Sequence, residues 1–190
     1  MTCIARMAGM TVLEMLVTMA IAVILLGVGV PSFSSAILSS RLSTQASDVF
    51  GALQRARSEA ITRATPVTVC KSASGTSCTS LGNWEDGWIV FIDGNANALV
   101  ETGETIVRVT PALVAGYSLR ATTAFGNAIT FKGDGSAQGA GGFILCKDGS
   151  TSNARGINVN LVGRISMAGD SNVNGIPEDD TGVDYASCTP

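Results

Sequence analysis

The chain contains no histidine. That removes the imidazole on which Ser–His–Asp and Cys–His nucleophile systems depend, and with it every zinc site built on nitrogen ligands. Charge is scarce too, at 14% of residues, and aromatics are scarcer at 5%. With 12 Lys and Arg against 15 Asp and Glu the net charge is −3, so the chain as a whole exerts no pull on nucleic acid or anionic lipid. Its carboxylates fall mostly in turn-like segments, and no pair stands out to flank a glycosidic bond. Trp84 and Trp88 lie close together near one strand, where sheet packing explains them better than a sugar or base platform. No enzymatic activity is expected, and 190 residues leave room for one core plus an appendage.

What the chain has in place of charge is one apolar end. From Met15 to Val30 no residue is charged. Extended back to Met10, the run would be about 31 Å long as a helix, enough to cross a hydrocarbon core of about 30 Å. A single-pass membrane helix over 10–30 is therefore expected. Glu14 interrupts it, and an ionisable group at membrane depth costs several kcal/mol unless it finds a partner.

Residues 1–9 (MTCIARMAG) carry one positive charge, Arg6, and end in Gly9. A general secretory signal places its apolar region before the cleavage site; here the apolar segment follows Gly9, so cleavage there would leave the helix on the mature protein. Gly9-Met10-Thr11-Val12-Leu13-Glu14 resembles the class III leader of type IV prepilins and type II secretion pseudopilins. In that family a peptidase cuts after the Gly and the new N-terminus is methylated, which would fall on Met10. Glu14 would be the fifth mature residue and Pro31 the twenty-second, where the family places Glu and Pro. Met10 stands in place of the more usual Phe.

Pro31, with Gly27 and Gly29 just before it, predicts a weak point in the helix, a kink or local melting. Beyond it the helix is expected to continue over 31–64 as an amphipathic segment. Its apolar stripe is Leu42, Ala46, Val49, Phe50, Leu53, Ala60, Ile61 and Ala64, with Arg41, Asp48, Arg55, Arg57, Glu59 and Arg63 on other faces. Thr65-Pro66 should end it. Short β-type runs follow at 67–71, 87–92, 105–109, 117–121, 128–132, 142–147, 157–161 and 164–167. The Gly, Asn, Asp and Ser clusters between them predict antiparallel hairpins and not βαβ units. The expected fold is α+β: a long N-terminal helix on an antiparallel β head spanning 65–190. Residues 56–61 (ARSEAI), Pro66-Val67-Thr68-Val69, Trp88-Ile89-Val90-Phe91-Ile92-Asp93 and Gly163-Arg164-Ile165 resemble, in order, the GspH/FimT branch of minor pilins and pseudopilins.

Cys3 lies in the leader, leaving Cys70, Cys78, Cys146 and Cys188, which allow three pairings. A head across the membrane in an oxidising compartment would form two bridges. The favoured pairing is Cys70–Cys78, closing a short polar loop, with Cys146–Cys188 pinning the C-terminal tail. A four-thiolate zinc site is the competing reading, but the spacings contain no C-x2-C hook. Asp93, Asn95, Asn97, Glu101 and Glu104 occupy positions 1, 3, 5, 9 and 12 of a calcium-loop spacing, although Ala98 stands at the turn-glycine position and no helix flanks the loop. Calcium is the one cofactor the spacing allows, and turn geometry is the competing reading. A second such loop begins at Asp170, with Thr181 where its last carboxylate would sit.

The resemblance implies a structural subunit, made as an inner-membrane precursor with its head in the periplasm, processed by prepilin peptidase, and assembled with other minor pilins and the major pilin through its N-terminal helix. It implies a role in priming or capping a type IV pilus at its tip, or alternatively in a type II secretion pseudopilus. It also implies that Glu14 pairs with a neighbouring subunit's N-terminal amine. Some relatives bind DNA, and Arg164 after Gly163 matches their pattern, whereas Ser166 stands where those relatives carry a second Arg. From Ile165 to Pro190 there are five acidic residues and no Lys or Arg, which argues against DNA as a partner.

Overall fold

The structure, a computed structural model, describes residues 10–185, 187 and 188, without the side chains of 28–32, 34 and 35. The leader 1–9, with Cys3 and Gly9, lies outside the described residues. Two compact units divide between Ser40 and Arg41, and one helix, α1 (Val12–Arg63), contributes to both.

In the first unit Thr11 precedes α1 and caps it, its Oγ1 accepting the Glu14 N–H at 3.2 Å. Large apolar side chains from Met10 to Leu26, and Phe33 and Ile37 beyond them, are exposed. The backbone stays helical through Gly27, Gly29 and Pro31, so the local melting expected at Pro31 does not occur. The expected membrane span 10–30 runs into residues whose side chains are not described. Among the described residues no helix is long and apolar enough to cross a membrane.

In the second unit α1 buries Leu42, Ala46, Val49, Ala52, Leu53, Ala56 and Ala60. Four of these are alanines, each almost fully buried. Phe50 is only half-buried, and Ile61 and Ala64 are exposed; the stripe instead turns through Ala52 and Ala56. Past Arg63 the Thr65 N–H reaches the Ala60 carbonyl and the Ala64 N–H reaches Ile61, with Ala64 at φ 50°. This is a Schellman stop built without glycine.

The head holds two antiparallel sheets. The first has the order β3 (Ile106–Thr110), β2 (Trp88–Ile92), β1 (Val67–Lys71), β5 (Ala128–Phe131), and the second β4 (Tyr117–Ala121), β6 (Gly141–Lys147), β7 (Ser150–Val159), β8 (Ile165–Met167). β1 is central and buried at all five positions, as a Val-rich run between two partners should be. A 3₁₀ turn, Trp84–Asp86, ties the sheets together. Trp84 meets Phe143 of β6 edge-on at 4.9 Å, and Glu85 pairs with Arg120 of β4. Most strand limits fall within a residue or two of expectation, but β7 starts at Ser150 and not at Ile157. The cause is Asp148-Gly149, both at positive φ (52° and 72°), which forms a two-residue hairpin pairing Lys147 with Ser150.

The C-terminal segment lies over β6 and β7. A Cβ at Gly142 would sit 1.8 Å from the Tyr185 hydroxyl, and one at Gly156 2.5 Å from Ala168 Cβ, so both glycines are seats for the tail. Tyr185 donates to Asn158 Oδ1 at 2.5 Å, and Asn158 Nδ2 donates to the Glu178 carbonyl at 3.1 Å. Burial pushes the Tyr185 hydroxyl well above the usual phenol range, with Asp179 and then Asp180 adding to the shift.

Candidate functional site

Glu14 sits in the first turn of α1. Thr11-x-x-Glu14 is the capping-box spacing, so these residues begin a helix well. Glu14 is exposed among exposed Leu13, Met15 and Val17. No Lys or Arg among the described residues pairs with it. Over residues 10–27 the described side chains therefore present a largely apolar surface bearing one carboxylate, with no cation paired to it among the described residues. Met10 is exposed just ahead of that turn.

The four head cysteines form two disulfides, Cys70–Cys78 and Cys146–Cys188. Cys70 joins Ile89 and Phe91 in a small core on the first sheet, with Cys78, Val100 and Ile106 against it. Cys146 and Cys188 are buried with Ile144, Ala154 and Tyr185, so this bridge holds the tail where Tyr185 already docks.

The Asp93 loop is tied into the fold. Asp93 is fully buried, and its carboxylate accepts the Asn97 N–H at 3.1 Å, the Ala98 N–H at 2.9 Å and the Thr68 hydroxyl at 2.6 Å. Asn95 Nδ2 donates to Glu101 at 2.8 Å, and Glu104 accepts the Glu101 N–H at 3.0 Å. The Asp170 loop repeats the plan: its carboxylate accepts the N–H groups of Asn174 and Gly175 at 3.1 and 2.7 Å. Among the described residues no three His, Cys, Asp or Glu side chains gather as a metal site.

Arg164 is exposed at the β7–β8 turn, its N–H donating to Asn160 Oδ1 at 2.9 Å. Its neighbour Gly163 is buried at φ 75°, and a Cβ there would lie 1.9 Å from the Gly135 carbonyl oxygen. Arg57 donates to that same carbonyl at 3.0 Å and to Val162 at 3.4 Å. Residues 56–61 and 163–165, separate in the sequence, thus meet at one junction. The sequence pattern sets Arg57 off the apolar stripe, and periodicity does not register the distant carbonyls it meets.

Residues 45–163 match the family model described as Type II transport protein GspH. The fold is similar to crystal structures of the Pseudomonas aeruginosa (strain PAO1) type IV minor pilin FimU. One crystal form is 18% identical with a TM-score of 0.56, over 79% of this chain and 96% of that one. A second is 17% identical with a TM-score of 0.54, over 77% and 99%. No curated protein sequence matches the chain.

Proposed function

Since the chain belongs to the GspH family of minor pilins and pseudopilins, we propose that it is a non-enzymatic structural subunit that primes or caps a type IV pilus at its tip. In this reading the precursor sits in the inner membrane with a single pass over 10–30 and its head in the periplasm. Prepilin peptidase cuts after Gly9, and Met10 becomes the methylated first residue. The helix then moves from lipid into a filament formed with other minor pilins and the major pilin. The observation that carries this reading is the exposed, largely apolar surface from Met10 through the first turns of α1 to Leu26, whose one charged residue is Glu14. Such a surface must be covered by lipid or by other helices. A carboxylate inside either environment needs a cation, and the N-terminal amine of a neighbouring subunit supplies one.

The test is replacement of Glu14 by Ala. Membrane insertion should persist, since a charge leaves the lipid, while recovery in sheared filaments should fail. Normal recovery would remove Glu14 from assembly. The same fractionation in a strain lacking pili but retaining secretion separates the pilus from the type II secretion pseudopilus, the alternative role. DNA binding through Arg164 is the remaining reading; the acidic tail beside it counts against phosphate contacts.

A further inference from the structure

The head carries two small apolar faces of opposite charge. The first lies where α1 stops. Ile61, Leu161 and Val162 are exposed there, gathered around Arg57 and Gly135. Arg57 donates to the Gly135 and Val162 carbonyls at 3.0 and 3.4 Å, and a Cβ at Gly135 would lie 2.7 Å from Ile61 Cδ1. Lys132, whose carbonyl accepts the Gly135 N–H at 2.8 Å, and Arg164, next to Gly163, are exposed beside them. None of these three cations forms an ion pair among the described residues, and Glu59 is already held by Arg55 and Arg63. Asp134 lies near Lys132, so the end stays net positive.

The second face is the tail turn. Val173 is 85% exposed and held at φ 60°, a conformation that strains a β-branched residue and that glycine adopts freely. The Asp184 carboxylate accepts from Asn172 Nδ2 at 3.0 Å and Asn174 Nδ2 at 2.6 Å. That brings exposed Val183, with exposed Asp180 in the turn before it, beside the Val173 turn. From Ile165 to Pro190 no Lys or Arg offsets these carboxylates. Val173 is thus an apolar tip among negative charges.

The two faces lie at opposite ends of the head. The Asn153 N–H donates to the Gly175 carbonyl at 3.1 Å, and Arg155 Nε meets Ser43 Oγ at 3.4 Å, which sets the tail turn at the Ser43 end. Arg57 marks the other end, about 21 Å further along α1. Unlike faces so placed meet between copies, head to tail, an arrangement that propagates when its rotation does not close. Their opposite charges favour that meeting and oppose like with like.

We propose that the Val173 turn of one copy seats on the Ile61, Leu161 and Val162 end of a second copy, with Asp180 and Asp184 facing Lys132 and Arg164. The strained valine keeps its side chain because the seat gives it an apolar partner. So small a contact belongs with the weak ones; in a filament, helices that hold copies side by side supply an effective concentration of about millimolar order. Its place in a filament rests on the assembly reading above, and the fit of the two faces does not.

The test is sedimentation velocity of the full chain in detergent micelles, at up to about 1 mM chain and about 50 mM salt. Wild type should form a concentration-dependent open series that disperses at about 500 mM salt. Leu161→Glu breaks the seat and Val173→Gly removes the tip, and each should weaken association about tenfold or more. Val173→Gly should also raise Tm by about 2 to 4 °C, since glycine relieves the backbone. Mixed in equal amounts, the two variants should form one-to-one pairs and nothing larger, because the intact turn of one fits the intact end of the other. Wild type that stays single or stops at a closed dimer, an inert mixture, or a Val173→Gly chain that melts lower or associates like wild type would each overturn the proposal. Single wild-type chains that bind duplex DNA, with binding lost in Arg164→Ala, would assign the positive end to nucleic acid and overturn it too. Wild type missing from sheared filaments would instead sink the proposed function, because sedimentation reads the two faces without a filament.

Discussion

Arg57 Nε donates to the Gly135 carbonyl at 3.0 Å, and that carbonyl occupies the space a side chain on Gly163 would need. One oxygen therefore ties the last turns of α1 to the β7–β8 turn. Gly163→Ala must both displace it and hold a positive φ, so a loss of about 3 kcal/mol is expected in urea unfolding of the full chain. Arg57→Ala should cost about 1 to 2 kcal/mol through its two carbonyl contacts. Because both act on Gly135, the double variant should lose less than the sum. Strict additivity would mean the two residues do not share that contact.

Asp93 is fully buried and accepts three hydrogen bonds, two from backbone N–H groups and one from Thr68. Asp93→Ala leaves the Ala98 N–H without an acceptor, while the Asn97 N–H keeps Asn95 Oδ1 at 3.2 Å and the Thr68 hydroxyl keeps Thr130 Oγ1 at 2.7 Å, and should cost about 1 to 3 kcal/mol. Since both oxygens of the Asp93 carboxylate already accept hydrogen bonds from the fold and Glu101 and Glu104 bond within the loop, excess calcium and chelator should give the same Tm. At 100 times Kd a bound ion would stabilise by about 2.7 kcal/mol, a shift of several degrees. A shift of that size would restore Asp93, Asn95, Asn97, Glu101 and Glu104 as calcium ligands.

The two disulfides close loops of very different length, with sequence separations of 8 and 42. In the chain-entropy model these contribute about 2.5 and about 4 kcal/mol. Cys146→Ser with Cys188→Ser should therefore lower stability more than the Cys70/Cys78 double variant. The reverse order, read by denaturant midpoint, would show that the tail adds little.

Tyr185 carries a pH dependence of definite sign. Burial raises its folded pKa above the ordinary value of 10.0. Stability from its docking is therefore fully present below the unfolded value near pH 10 and is lost as pH rises beyond it. In Tyr117→Phe, which leaves Tyr185 as the lone tyrosine, phenolate absorbance should appear only above pH 10, together with loss of the tail's structure. Ordinary titration centred at pH 10 with the tail still ordered would contradict its burial against Asn158.

Where the sequence was legible, local chemistry decided the outcome. The stop of α1 before Pro66 follows from the proline, and β1 from its β-branched residues between turn signals. β7 was misplaced because Ser150 to Arg155 reads as turn, although Asp148-Gly149, just upstream, is the stronger hairpin signal. Ala52 and Ala56 escape the apolar stripe because alanine suits either face, and only tertiary packing selects the buried one. Gly142, Gly156 and Gly163 resemble ordinary turn or strand glycines until Tyr185, Ala168 and Gly135 take the space beside them.

The most direct measurement is the intact mass of the chain recovered from sheared, purified filaments. A mature product beginning at Met10 and carrying one added N-terminal methyl group is the expected result. A chain that still carries residues 1–9, or one confined to membranes and absent from filaments, would contradict the assembly role.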